Sequence, residues 1–114
     1  MVVIHTVLLK IRKDVPQEAI DTMIREINNL HHIPGLIKIA AGENFMPERA
    51  HGYTHGLSAE FESKEPPASR TQALQGYAIH PDHVGVVTNH IRPHVEADAG
   101  VLAFDFVVPY TPKI

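Results

Sequence analysis

The sequence predicts a ferredoxin-like α+β domain: an antiparallel four-stranded sheet with helices on one face. Three observations lead there. β-rich and helix-periodic segments follow one another in the order strand, helix, strand, strand, helices, strand. The first helical segment carries a single apolar stripe, which suits a helix lying on a sheet. The opening strand is apolar on both faces and therefore needs cover on both, most easily helices on one side and a partner subunit on the other.

The elements follow in order. Residues 2–11 are β-branched and aliphatic, with Val3, His5, Val7, Leu9 and Ile11 on one face and Val2, Ile4, Thr6, Leu8 and Lys10 on the other. Asp14, Pro16 and Gln17 predict a helix start, with Asp14 as cap and Gln17 at the capping-box position. Ile20, Met23, Ile24, Ile27 and Leu30 then form the helical stripe, which Pro34 and Gly35 end. Residues 36–41 read as a short strand, residues 42–53 as a loop and residues 54–62 as a third strand. The Pro66-Pro67 pair rules out one helix through residues 63–72, so a short helix starting near Ala68 leads into Tyr77. A further helix over residues 81–92 shows Val84, Val87 and Ile91, with Pro93 bending or stopping it, and residues 101–108 form the last strand before the tail Tyr110-Thr111-Pro112.

Composition bounds the function. The chain has 114 residues, 44% hydrophobic and 20% charged, which suits a single domain spanning 1–114 with one core. The net charge of -3 comes without any basic run, so the electrostatic footprint of a nucleic-acid binder is missing. No apolar run reaches membrane-spanning length, and Met1 leads straight into strand-like sequence without a basic lead or small-residue cleavage site. Cysteine is absent, which excludes disulfides and thiolate chemistry and fits a reducing compartment. The expectation is a cytoplasmic protein.

Histidine is the odd feature, with nine dispersed through the chain. The densest chemistry lies in Tyr77-Ala78-Ile79-His80-Pro81-Asp82-His83. Pro81 suits the first position of a helix, which makes His80 the cap and puts His83 in the first turn. The unpaired N–H groups of that turn disfavour an added proton on His83, leaving a neutral base near neutral pH, whereas the Asp82 carboxylate favours the imidazolium. Tyr77 brings a phenol able to donate to a developing oxyanion. His90 and His94 have the four-residue spacing of a helical metal pair, but Pro93 lies between them and no His-Glu-x-x-His pattern occurs, so no metal is expected. His31 and His32 read as cations at a helix C-terminus.

The segments His5-Thr6-Val7-Leu8-Leu9-Lys10, Ile33-Pro34-Gly35, Gly52-Tyr53-Thr54-His55-Gly56, Phe61-Glu62-Ser63, His80-Pro81-Asp82-His83-Val84 and Phe104-Asp105-Phe106 together resemble the stress-responsive A/B barrel domain (Dabb) family, over nearly the whole chain. The resemblance implies a dimeric α+β barrel, a homodimer whose two sheets face each other. The family includes stress proteins and a polyketide cyclase. By resemblance, that cyclase's catalytic tyrosine and histidine fall on Tyr77 and His83, its other pocket histidines on His5 and His55, and its pocket wall on Ile24 and Ile27, where it tends to carry aromatic residues.

The activity so implied is an intramolecular aldol cyclisation of a linear poly-β-keto thioester. His83 would act as base and Tyr77 as donor to the thioester or enolate oxygen, while His5 and His55 orient His83 or bind a ketone oxygen. No cofactor is required. The partners implied are a second copy of the chain, a small polyketide-like substrate and an upstream polyketide synthase. Two other readings use the same residues: a non-catalytic stress-responsive dimer, and a decarboxylase or isomerase acting in the same pocket.

Overall fold

The computed structural model describes residues 2–62 and 72–109. They form β1 (Val2–Leu9), α1 (Gln17–Asn28), a 3-10 turn (Asn29–His32), β2 (Leu36–Glu43), β3 (His55–Glu62), α2 (Gln72–Ile79), α3 (Pro81–Val86), a π-helical turn (Val87–Ile91) and β4 (Val101–Val108), with a short 3-10 turn at Pro47–Arg49 between β2 and β3. The sheet order is β2-β3-β1-β4 with every neighbouring pair antiparallel, which is the ferredoxin-like arrangement expected from the element order. The Pro66-Pro67 pair, the helix start near Ala68 and the tail from Tyr110 lie outside the described residues.

β1 sits inside the sheet, and its register decides what the helices cover. Val3 lies opposite Phe61 and Val107, His5 opposite Ala59 and Asp105, Val7 opposite Leu57 and Ala103, and Leu9 opposite His55 and Val101. Side chains alternate across a strand, so all of these share one face. On that face Val3, Val7, Leu9, Leu57, Ala59 and Phe61 are buried against Met23 and Ile27 of α1, Leu30 and Ile33 after it, Tyr77 of α2 and Val86 of α3. The opposite face carries Ile4, Thr6 and Leu8 of β1 beside Leu102, Phe104 and Phe106 of β4. It stays open, with Phe104 63% exposed. No helix among the described residues is long and apolar enough to cross a membrane.

Two local expectations are corrected. Asp14 does not cap α1. The cap position is taken by Pro16, whose carbonyl accepts from Ala19 and Ile20, while Asp14 accepts from Arg12 Nε at 3.0 Å and Gln17 donates to Asp21 at 2.9 Å. The proline's extended ψ of 149° ends the preceding loop there, so the helix starts too late for Asp14 to reach its N–H groups. The helix expected over residues 81–92 is α-helical only to Val86 and then widens, with Arg92 N donating to Val87 O at 2.9 Å. Pro93 has no N–H and its ring crowds the carbonyl four residues back, and a widened turn relieves that contact. Just after that turn the Pro93 carbonyl accepts from Arg12 Nη1 at 2.6 Å, which ties the segment to the loop after β1.

The turn into β2 positions α2. Gly35 adopts φ +85°, and a Cβ there would lie 2.6 Å from the Ala73 Cβ of α2. Both the left-handed backbone and the close approach require glycine. Gly35→Ala is therefore expected to lower stability by about 1–3 kcal/mol. Gly76→Ala, in α2 with nothing within 4 Å of the added methyl, should be neutral or stabilising by about 0.4–1 kcal/mol. Denaturant midpoints of the two variants check this, and an unchanged midpoint for Gly35→Ala would contradict the packing described.

Candidate active site

The α2–α3 corner follows from its sequence. His80 has extended dihedrals, φ -61° and ψ 133°, and its Nδ1 accepts from Asp82 N at 3.1 Å, so it caps α3 with Pro81 in the first turn as expected. Two further bonds join the corner into one unit, His80 N to Tyr77 O at 3.2 Å and Val84 N to His80 O at 3.0 Å.

His83 turns back towards α2, and its Nδ1 lies 3.1 Å from the Ala78 carbonyl oxygen. A carbonyl only accepts, so Nδ1 carries the hydrogen, and the neutral ring keeps its lone pair on Nε2. Burial lowers the His83 pKa from its ordinary value of 6.5; the Ala78 bond opposes this, and the nearby His5 and His80 reinforce it. Asp82, the group that favours an imidazolium, is turned away to His32, 2.7 Å from its Nε2. The competition left open by the sequence is thus settled by where Asp82 points, and His83 is neutral at pH 7.

Tyr77 is 2% exposed, and burial pushes its phenol up to about 12, so it stays un-ionised and able to donate. Its ring lies 4.2 Å from that of His83 at a 43° tilt, and edge-on to Phe61 at 5.0 Å. His5 closes the group from β1, 6.2 Å from Tyr77 and 6.4 Å from Phe61 between ring centroids. Its Nδ1 is 2.5 Å from Asp105 Oδ1 on β4, directly opposite in register. A neutral imidazole, an un-ionised phenol and a carboxylate-paired imidazole therefore meet on the helix-covered face of the sheet, near the middle of β1.

The other expected site residues lie apart from this group. His55 is buried opposite Leu9, four positions along β1 from His5, a separation of about 13 Å at the usual strand rise. Its Nδ1 is 2.8 Å from Thr54 Oγ1, and burial lowers its pKa against the opposing charge of Glu43. It borders a recess of about 500 Å³ that also includes Phe45 and Tyr53. Ile27 is wholly buried in the core and Ile24 lies at its margin. His90 falls in the π-helical turn and His94 beyond it, and no three metal-ligating side chains converge among the described residues.

Two partners were missed in the sequence. Asp105 sits between two phenylalanines in a strand-like run, and only the β1–β4 register reveals that it faces His5. A charged residue on the parity of the helix-covered face was the available signal. His32, read as a helix-terminal cation, instead reaches 50 residues along the chain to Asp82, a pairing that no local pattern encodes.

Comparison with known proteins agrees with this architecture. The Stress responsive A/B Barrel Domain family matches residues 3–108. The chain is 32% identical over 108 residues to a stress-response A/B barrel domain-containing protein of Arabidopsis thaliana, covering 95% of this chain but only 37% of that relative's length. It is 29% identical over 87 residues to olivetolic acid cyclase of Cannabis sativa, covering 75% of this chain and 79% of the cyclase. Among solved structures it resembles the Arabidopsis thaliana protein At3g17210, with a TM-score of 0.74, 28% identity and coverage of 98% and 99% of the two chains. It also resembles a dimeric ferredoxin-like protein of Jannaschia sp. CCS1, with a TM-score of 0.69, 26% identity and coverage of 95% and 100%. The chain belongs to the stress-responsive A/B barrel domain family.

Proposed function

We propose that this protein is a cofactor-independent cyclase that closes a linear poly-β-keto thioester into a ring by an intramolecular aldol reaction. The observation that carries the reading is the pairing of an uncharged His83, hydrogen-bonded so that Nε2 is bare, with the un-ionised Tyr77, their ring centroids 4.2 Å apart. The similarity to olivetolic acid cyclase supports it.

A methylene between two carbonyls is already acidic, so His83 Nε2 needs only to accept its proton. Tyr77 donates a hydrogen bond to the oxygen that gains charge as the enolate forms. The enolate carbon attacks a distant ketone of the same chain, a C–C bond forms, and the new alkoxide takes back the proton held by His83. His5, oriented by Asp105 and 6.2 Å from Tyr77 between ring centroids, binds a ketone oxygen. His55 and Ile24, apart from this group, would bound the folded chain, with Ile27 supporting that wall from within the core. An upstream polyketide synthase would supply the chain.

The reading includes a homodimer. Leu102, Phe104 and Phe106, all at least 45% exposed, make an apolar face that a second sheet would cover, and the Jannaschia relative is dimeric. The non-catalytic stress-responsive reading has one observation of its own: the Tyr77 ring is 2% exposed and packed on Phe61, as a purely structural aromatic would be.

Turnover of tri- and tetraketide thioesters separates the two. His83→Ala is expected to lose about 10²–10⁴-fold in kcat/KM and Tyr77→Phe about 10²–10³-fold, with folding retained. Aromatic products formed equally by wild type and both variants, or by none of them, would sink the cyclase assignment. The wild-type rate should fall with acidification only below pH 6.5, because the His83 pKa is lowered and the base stays free until then.

A further inference from the structure

Outside the aromatic group, the α2–α3 corner carries a second set of ionisable side chains that the cyclase chemistry does not use. His32 ends the 3-10 turn that follows α1. Its Nδ1 is 2.8 Å from the Asn29 carbonyl oxygen and its Nε2 2.7 Å from Asp82 Oδ2. Asp82 is held ionised by this same contact, its pKa lowered. A carbonyl and a carboxylate both only accept, so each ring nitrogen must carry a hydrogen and the ring is an imidazolium.

The charged and titratable groups around it come from each neighbouring element. Asp82 is on α3. His80, the cap of α3, has its ring 6.1 Å from that of His32 and its Nδ1 3.9 Å from the Asp82 carboxylate. His31 is adjacent at 6.1 Å between rings. Glu26 of α1 and His90 of the π-helical turn line, with His32 and Asp82, a groove of about 300 Å³ between the two helices.

We propose that His32 is a positioning residue: as an imidazolium it latches Asp82, and with it the corner bearing Tyr77, His80 and His83, to the C-terminal end of α1, and the latch releases when His32 loses its proton. Backbone and side-chain bonds join the corner: Asp82 N to His80 Nδ1, His80 N to Tyr77 O and His83 Nδ1 to Ala78 O. A neutral His32 that keeps its Nδ1 hydrogen on Asn29 turns a bare Nε2 lone pair towards the carboxylate, which converts attraction into repulsion.

Two imidazoles border Asp82, His83 next to it in sequence and His32 in contact with it from 50 residues away, and their pKa values are shifted in opposite directions. His32 is raised, first by its bond to Asp82 and then by that to Asn29, whereas His83 is lowered by burial. The base is free above the lowered value and the latch is closed below the raised one, so the corner is competent in a window that brackets 6.5. The sign for stability follows from linkage: with a raised folded-state pKa, the contribution of His32 is fully present below 6.5 and is lost as pH rises through the folded value. The side chains of the pair are 50% and 55% exposed, so added salt weakens the latch.

The effect on rate rests on the cyclase reading, but the latch does not, and the test keeps them apart. Imidazole ¹⁵N spectra of the whole protein should show both His32 nitrogens protonated below pH 6.5, with a midpoint above 6.5 that Asp82→Asn brings down. The Tyr77 and His83 ring signals should follow that midpoint in the wild type and lose it in Asp82→Asn. In turnover, His32→Lys should carry the alkaline limb upward and His32→Gln should remove it, since Tyr77 at about 12 is too high to supply one. A His32 midpoint unmoved by Asp82→Asn, or Tyr77 and His83 signals indifferent to it, would overturn the latch whether or not the protein turns over any thioester.

Discussion

The constraint on which the site depends is the burial of an imidazole without its charge. His83 is half-buried, packed against the Tyr77 ring and hydrogen-bonded to a carbonyl from the preceding helix, so it has lost part of the solvent that would stabilise an added proton. The phenol beside it is held un-ionised by the same exclusion of water. One physical cause thus sets both the acceptor and the donor in the states a proton-transfer reaction needs. The nearest carboxylate in sequence, Asp82, leaves this arrangement intact because His32 draws it outward.

The sheet explains why the group forms where it does. β1 lies between β3 and β4, and its alternation sends Val3, Val7 and Leu9 into the core with His5 among them. His5 is tolerated on this face because Asp105 lies directly opposite and satisfies its Nδ1. The other alternation leaves Phe104 and Phe106 in solvent, a face that one copy of the chain cannot cover with its own helices. The gaps that matter are closed by backbone features, a left-handed Gly35 against Ala73 and a widened turn before Pro93.

Much of this was legible from local pattern. The element order, the stripe of α1 and the cap at His80 with Pro81 after it, which places His83 in the first turn, follow from periodicity and helix-start chemistry, which act over a few residues. The pairing of Tyr77 with His83 as a catalytic site rested on the family resemblance. What was not legible depends on distance across the fold. Pro16 displaced Asp14 as cap by its own backbone, and Pro93 reshaped the turn before it. His55 shares the parity of the helix-covered face with His5 but sits at the far end of the strand, because antiparallel pairing aligns Leu9, not His5, with it. Asp105 and His32 were hidden for the same reason: the first needs the β1–β4 register and the second the approach of α3 to the end of α1.

The account stands on the protonation of a single ring. Two-bond ¹⁵N–¹H correlation of His83 at pH 7 tests it most directly. The expected spectrum has a hydrogen on Nδ1 and a bare, pyridine-type Nε2. An imidazolium, or the opposite tautomer with Nε2 protonated, would remove the base from the site and contradict the account.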